Sequence, residues 1–359
     1  MKSFYIAEIN LPSKSAYAVH VFQMCNAIAK INKKVILIVP YLDKNYSIKI
    51  KKEYGIKYNF HIKSIFPKKK ELNFLRRIYF AYSCLKFITK EKKNTLIISR
   101  SILTSLILAK NKIFSYMEIH HELKSFTKII FSLYQKNKSN KYLKFILINK
   151  YLLNYFKFNK EDYLILDDAV NLEMFKKSNK KIIKNTCAYF GSLTSGKGIE
   201  IIKEISAKLK NINFHIYGDL KLLNSKFISF KKAKNVKFFN HLRYNKIPEH
   251  MSRYNILLMP YLKNVSVRSK NLNVANYMSP LKLFEYMASG KIIVATNLNV
   301  YSHILKNNKN SILIPVGKTN LWVKKIIEIF KDTKKYKYLQ KNSLKTVKKY
   351  TWDLRVQKI

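Results

Sequence analysis

The segment Ser279-Pro-Leu-Lys-Leu-Phe-Glu-Tyr-Met-Ala-Ser-Gly-Lys-Ile-Ile-Val-Ala295 reads as one helix, one stop and one strand. Ser279 is a good N-cap, and Pro280 suits the first helical position, where its missing N–H costs nothing. Gly290 ends the helix, and Ile292–Ala295 is an apolar, β-branched run. The polar run 263–276 precedes the helix, so its N-terminus can receive phosphate oxygens. Glu285 stands among Leu283, Phe284, Met287 and Ala288. A carboxylate in such company needs a partner. A ribose diol would serve, and so would Lys282 one turn earlier.

Upstream, Ala188-Tyr-Phe-Gly-Ser-Leu-Thr-Ser-Gly-Lys-Gly-Ile-Glu-Ile-Ile202 repeats the theme in the other order. A strand runs into Gly191, a loop holds Gly196, Lys197 and Gly198, and a helix begins at Ile199. Loop amides, a helix start and a lysine aimed at one place would hold a diphosphate. An ordinary strand-to-helix turn with a solvated lysine would read the same way. Neither a Walker loop nor a GxGxxG fingerprint is present.

Strand-like runs recur along the whole chain: Phe4–Glu8, Val35–Val39, Thr95–Ser99, Lys112–Ile119 and Tyr163–Leu166, then Cys187–Phe190, Phe214–Tyr217, Val236–Phe239, Ile256–Met259, Ile292–Ala295 and Ser311–Ile314. Helical patterns lie between them, as over Tyr17–Lys30. Strands alternating with helices imply parallel sheets covered on both faces. Two such series predict an α/β protein of two doubly wound domains, joined near Asp168–Lys184. Six of the 7 Gly lie in the second series, which makes it the expected phosphate-binding half. The Lys-rich stretch Ser139–Lys160 reads as a basic helix.

The 359 residues carry 70 Lys+Arg against 20 Asp+Glu, a formal charge of +50. A hydrophobic fraction of 48% excludes a disordered chain. The charge favours polyanions: nucleic acid, an anionic membrane or phosphorylated ligands. Only seven of the basic residues are Arg, the usual reader of base edges, so specific nucleic-acid recognition is not expected. The 3 Cys are far apart with no CxxC, which fits a reducing cytoplasm and no zinc site. The first residues lack a signal peptide's apolar core, and no run of about 18 uncharged apolar residues exists. Two stretches mix cations with apolar anchors. Lys68, Lys69, Lys70, Arg76 and Arg77 flank Leu72, Phe74 and Leu75, and Lys141–Lys157 alternates Lys with Leu, Ile, Tyr and Phe. Each suits an anionic leaflet; each also suits a half-buried helix with solvated lysines.

The segments YFGSLTSGKGIEII and SPLKLFEYMASGKIIVAT resemble the retaining glycosyltransferases of family 4, the group 1 transferases of GT-B fold. LPSKSAYAVHVFQMCNAIAK near the start, the link LILDDAVNLEMF and the ending YTWDLRVQKI resemble that family's first loop, hinge and closing helix. The resemblance implies a GT-B protein, two Rossmann-like domains facing a cleft. Residues 1–168 would form the acceptor side, closed by a helix in 346–359, and residues 169–345 would bind a nucleotide-sugar. It implies transfer, with retention, to a hydroxyl of a glycan or lipid-linked acceptor in surface polysaccharide or glycolipid synthesis. The enzyme would be cytoplasmic, and the two basic stretches could seat it on the inner face of the cytoplasmic membrane. Lys197 would contact the diphosphate, Glu285 the ribose, and Ser279, Pro280, Leu281 and Lys282 would line the phosphates with Gly191, Ser192 and Gly218. Ser15 and Ala16 would approach the donor from the first loop, and His120, with His121 as competitor, would lie near the donor sugar.

Departures from the family pattern are specific. Tyr277 stands where the E-x7-E motif has its first Glu, Ser192 where many members have an Arg, and Ser15-Ala16 where a Gly pair is common. No Asp-x-Asp motif is present, so no metal or other cofactor is expected. Two other readings are a basic nucleic-acid- or membrane-binding protein without catalysis and a nucleotide-sugar hydrolase or epimerase on the same fold.

Overall fold

The computed structural model describes residues 2–32, 34–91, 95–123, 125–136, 140–176, 180–266 and 273–359. Parts of the polar run 263–276 and of the junction 168–184 lie outside them, as does Ser139. The chain forms two compact units, Met1–Asp167 with Trp352–Ile359, and Asp168–Thr351.

The first unit is built on seven parallel strands: β1 (Lys2–Ile6), β2 (Lys34–Val39), β3 (His61–Ser64), β4 (Thr95–Ser99), β5 (Ser115–Ile119), β6 (Leu143–Leu147) and β7 (Tyr163–Ile165). Their order is β3-β2-β1-β4-β5-β6-β7. Phe4 on β1 faces Ile36 on one side and Ile97 on the other. Helices cover both faces of such a sheet, so its inner strands are apolar along their length. Helix α1 (Ala16–Ile31) is capped by Ser15, which accepts from the Ala18 amide at 3.2 Å. Its buried polar side chains are matched one by one: Gln23 donates to the Tyr54 carbonyl at 2.7 Å, and Asn26 accepts from the Lys57 and Tyr58 amides at 2.9 Å. Helix α2 (Phe74–Thr89) buries Phe80, Cys84 and Ile88 against Phe4, Ile6 and Ile97.

The basic stretch at 139–160 is not a helix. Its centre is strand β6, seated between β5 and β7, with Leu143, Phe145, Ile146 and Leu147 buried. Phe145 meets Phe131 edge-on at 5.6 Å and stacks on Phe158 at 4.3 Å. Parallel pairing on both sides outweighs the helical spacing of the lysines, which fall at the strand ends and at Lys144.

The second unit has six parallel strands: β8 (Thr186–Phe190), β9 (Asn213–Tyr217), β10 (Val236–Phe239), β11 (Ile256–Met259), β12 (Ile292–Thr296) and β13 (Ile312–Ile314), ordered β10-β9-β8-β11-β12-β13. Helix α3 (Ile199–Lys208) starts at the expected residue, and its Ile202 and Ile205 join Trp322, Ile326 and Ile329 of α4 (Thr319–Lys331) over Cys187, Phe214 and Ile216. The three cysteines are buried and unbridged. In both sheets the strand order reverses beside the first strand, and ligands of doubly wound sheets bind outside the strand ends at that point. In the second unit β8 and β11 pair only at Cys187–Ile256 and Ala188–Leu257. Beyond that pairing the Tyr286 hydroxyl takes over. It accepts from the Phe190 amide at 2.8 Å and donates to the Leu258 carbonyl at 3.2 Å.

Tyr286 belongs to α5 (Leu281–Ala288). That helix begins after Pro280, not after Ser279, and no side chain caps its first turn. The expected capping hydroxyl of Ser279 instead accepts from the buried Asp168 amide at 2.8 Å. A buried donor left unmatched costs about 1–3 kcal/mol, more than the cap would return. Gly290 follows the helix with φ +62°, as a stop signal requires.

Gly198 holds the loop after β8 against the loop after β11. Its φ is +88°, and a Cβ there would overlap the Pro260 carbonyl. The glycine is demanded by this loop-to-loop packing. Gly198→Ala is expected to lower the stability of the second unit by about 3 kcal/mol, combining left-handed strain with a backbone clash. A chemical denaturation midpoint unchanged within error would contradict this.

Candidate functional site

Most of the site residues expected from sequence meet at the strand-order reversal of the second unit. Gly191 ends β8 and donates to the Tyr217 carbonyl at 3.0 Å; Gly218 ends β9 and donates to the Phe239 carbonyl at 3.1 Å. Helix α5 supplies Lys282 in its first turn and Glu285 one turn-spacing further on. Gly191 is the residue that lets Lys282 in: a Cβ there would stand 2.5 Å from Lys282 Nζ. The ammonium lies 3.7 Å from the centre of the Tyr189 ring and 5.1 Å from that of Tyr261. Lys197 Nζ is also 5.1 Å from the Tyr261 ring. Two cations therefore share one aromatic wall. Ser192 gives no charge here; its hydroxyl pairs with Thr194 at 3.0 Å, and its carbonyl accepts from Tyr189 at 2.6 Å.

Lys282 is buried, and its Nζ has no hydrogen-bond acceptor among the described residues. The surface pair with Glu285 is not what forms. Burial pushes the Lys282 ammonium well below the usual lysine range; nearby Lys197 pushes the same way, and Glu285 opposes them. Burial also brings Lys197 down to about 8. Glu285 is raised to about 7, first by burial and further by Asp168, against the Tyr244 hydroxyl and Lys282. The Tyr244 hydroxyl faces this carboxylate without a well-aligned hydrogen bond. Such a site holds more positive charge once an anion enters it, and its carboxylate keeps acceptor capacity unused.

The first unit gathers a second buried cluster around Glu118, the fourth residue of β5. Its carboxylate accepts from Tyr5, lies 2.9 Å from His20 Nε2, and is paired with Arg355 of the last helix, α7 (Trp352–Gln357), after α6 (Lys337–Val347). Arg355 also donates to the carbonyls of Leu166 and Asp167. Burial alone would raise the Glu118 carboxyl; His20 and Arg355 outweigh it and hold it well below the usual range. His120, at the end of β5, stands 3.7 Å from the same carboxylate, with its ring 4.7 Å from that of His20. Burial and Arg100 lower its pKa to about 3, so the imidazole is neutral. His121 is exposed and bonded to the Glu122 carbonyl at 2.9 Å. Ser15 and Ala16 lie in this first unit, where Ser15 serves as the helix cap.

Sequence reasoning missed Glu118, His20 and Arg355 as a group, and Tyr189, Tyr261 and Tyr286 as the wall of the lysine site. The one signal available was an acid inside the apolar run Ser115–Ile119.

Two outcomes are expected. Arg355→Met leaves Glu118 buried without its cation and lowers stability by about 3–5 kcal/mol. The folded pKa of Glu118 is depressed, so its contribution is present above the unfolded value and is lost as pH falls towards the folded one; the loss in the variant is read by thermal unfolding at pH 7. Glu285 is the opposite case. Its folded pKa is raised, so stability falls as pH rises through about 7. Glu285→Gln then melts higher than wild type at pH 8, and the gap closes by pH 5; a variant that melts lower at pH 8 would contradict this.

Residues 170–346 match the family model described as glycosyl transferases group 1. The uncharacterized glycosyltransferase MJ1178 of Methanocaldococcus jannaschii is 22% identical over 213 residues, which are 58% of this chain and 56% of the relative. The match thus spans little more than half of that protein's length. Among solved structures, Anabaena Alr3699/HepE in complex with UDP and glucose superposes with a TM-score of 0.72 at 13% identity, covering 100% of this chain and 98% of that one. A glycosyltransferase from Rickettsia africae ESF-5 gives 0.73 at 14% identity, covering 99% and 96%. At these identities the likeness is one of fold. The Glu285 helix and the Lys197 loop both fall inside the matched segment, which is just under half of the chain, and the chain has the GT-B fold.

Proposed function

We propose that the protein is a glycosyltransferase whose second unit binds a nucleotide-sugar donor. The observation that carries this reading is the buried, unpartnered ammonium of Lys282 beside Lys197. A diphosphate is the anion that matches two adjacent cations at the start of a helix. Glu285 accepts from the ribose hydroxyls, and the uncapped first turn of α5 (Leu281–Ala288) offers its amides to phosphate oxygens. Lys282 takes the part of the second cation that Ser192 does not supply. UDP is the first nucleotide to test, because the Anabaena neighbour was solved with UDP and with UDP-glucose.

The bond from the sugar's anomeric carbon to the diphosphate oxygen breaks, and a bond from that carbon to an acceptor hydroxyl forms. Retention follows if the departing diphosphate takes the acceptor proton on the same face. The enzyme's main contribution is then to stabilise charge on the leaving group, from Lys197 and Lys282. The lysines supply this charge without a metal. His120 keeps the role of contacting the transferred sugar, as a neutral hydrogen-bonding group. The acceptor is a glycan or lipid-linked hydroxyl, and the setting is surface polysaccharide or glycolipid synthesis. A non-catalytic nucleic-acid binder has less support: six of the largest fully buried side chains are tyrosines, which removes them from base stacking.

Titration with UDP, GDP and ADP tests the reading, and failure of all three to bind overturns it. For the nucleotide that binds, Lys282→Met weakens affinity by about ten- to a hundredfold, the worth of a charge-assisted contact. Lys197→Ala lowers turnover more than affinity, since its charge matters most as the diphosphate departs. Affinity falls as pH rises through about 8, where Lys197 loses its proton, by up to about tenfold per pH unit. Calorimetry in buffers of different ionisation enthalpy at pH 8 should show net proton uptake on binding.

A further inference from the structure

The strand-order reversal of the first unit holds a cation that the described residues leave unanswered. Arg100 directly follows β4 (Thr95–Ser99), and its amide donates at 2.8 Å to the carbonyl of Ile6, the last residue of β1 (Lys2–Ile6). Its guanidinium lies on the Tyr17 ring of α1 (Ala16–Ile31), with Cζ 3.8 Å from the ring centre. Nη1 is buried without a hydrogen-bond partner, and the group has no ion-pair partner among the described residues. A stacked guanidinium keeps its edge open. That edge is a fork of N–H donors matched to the two oxygens of a carboxylate or phosphate.

Two acids share this neighbourhood, Glu8 and Glu118, and both are already committed. Glu8 pairs with Arg77 at 2.8 Å and accepts from the Ser101 hydroxyl at 2.6 Å. Glu118 is taken by Tyr5, His20 and Arg355. Arg77, Arg100 and Arg355 thus meet two carboxylates, and Arg100 is the one left over. Buried charges in folded proteins are paired, and a guanidinium, unlike the ammonium of Lys282, cannot shed its proton instead. The same charge reaches His120, whose pKa it helps burial to lower to about 3. His120 is the group that the transferase reading gives to the transferred sugar, so the open cation stands near the place of transfer.

We infer that Arg100 binds an anionic group of the acceptor, a carboxylate or a phosphate, so that the hydroxyl to be glycosylated belongs to an acidic or phosphorylated compound. Calling the ligand the acceptor rests on the transferase reading above; the anion site in the first unit does not. A neutral glycan would leave the guanidinium without a partner, whereas a bidentate anion offsets the cost of its burial.

The test is calorimetric titration of the full chain with glucose, glucuronate and glucose 6-phosphate at constant ionic strength. The parent carries Lys282→Met, which weakens the second unit's own anion site. At least one of the two anions is expected to bind about tenfold or more tightly than glucose. Glucuronate ahead assigns a carboxylate, glucose 6-phosphate ahead a phosphate, and equal binding of both keeps the shared oxyanion. Adding Arg100→Gln weakens the bound anion about tenfold or more and leaves glucose unchanged. Arg100→Lys, which keeps the charge and loses the fork, falls between that variant and the parent. Because a chain of +50 attracts any anion, Lys110→Gln, at an exposed position of the same unit, is the control and costs less than about twofold. Melting separates a binding arginine from a merely structural one. Without ligand, Arg100→Gln melts no lower than its parent, and the anion that stabilises the parent no longer stabilises the variant. Equal affinity for all three sugars, no binding at all, equal losses in Arg100→Gln and Lys110→Gln, or a lower melting temperature for Arg100→Gln would each overturn the inference. Nucleotide affinity of Arg100→Gln with Lys282 intact stays at the wild-type value. A failure of the anions to bind therefore leaves the donor site standing, and a failure of every nucleotide to bind would strike the transferase reading instead.

Discussion

An ammonium group carried into a protein interior must find an anion, lose its proton or unfold its surroundings. The second unit is organised around this constraint at Lys282. The helix that carries the lysine is pinned by Tyr286 between β8 (Thr186–Phe190) and β11 (Ile256–Met259), where those strands stop pairing. Gly191 clears the space the ammonium occupies, and Tyr189 and Tyr261 offer it ring faces in place of oxygen atoms. An aromatic face stabilises a cation by about 2 kcal/mol at most when desolvated, which does not replace hydration. The remaining cost is carried as a lowered proton affinity, and it is recovered when an anion arrives.

The two units treat buried charge in opposite ways. In the first, Glu118 near the end of its strand is surrounded by Tyr5, His20 and Arg355, so the carboxylate is satisfied within the protein. That satisfaction is structural: it ties β1 (Lys2–Ile6), α1 (Ala16–Ile31) and the chain's last helix to one atom group, and it gives that short helix a reason to belong to this unit. In the second, Lys282 and Glu285 sit one turn apart without closing on each other. A closed pair would have been the better choice for stability.

The alternation of apolar β-rich runs with helical patterns made both sheets legible, and Thr95–Ser99, Val236–Phe239 and Ile256–Met259 coincide with the observed strands. What escaped has physical reasons. The strand Leu143–Leu147 is hidden by flanking lysines, whose spacing mimics a helix face until sheet pairing on both sides decides the matter. Ser279 has the composition of a cap but answers a buried amide 111 positions away, a contact that no local pattern contains. The same holds for Glu118, visible as an acid in an apolar run, whose partners come from Tyr5, His20 and Arg355. Residue types around Lys282 were readable because they cluster in two short segments; the aromatic wall was not, because Tyr189 and Tyr261 look like ordinary core.

The preference for lysine over arginine, which in composition alone resembles drift, acquires a consequence at this one site. A guanidinium keeps its proton at any accessible pH, so an arginine at position 282 would enter the interior charged and pay its full desolvation while unpartnered. A lysine can fold neutral and take up a proton when phosphate oxygens supply the missing partner. Lys197, itself brought down to about 8, sits close enough to depress Lys282 further. The lowered proton affinity of Lys282 eases the burial of two neighbouring amines in the folded chain.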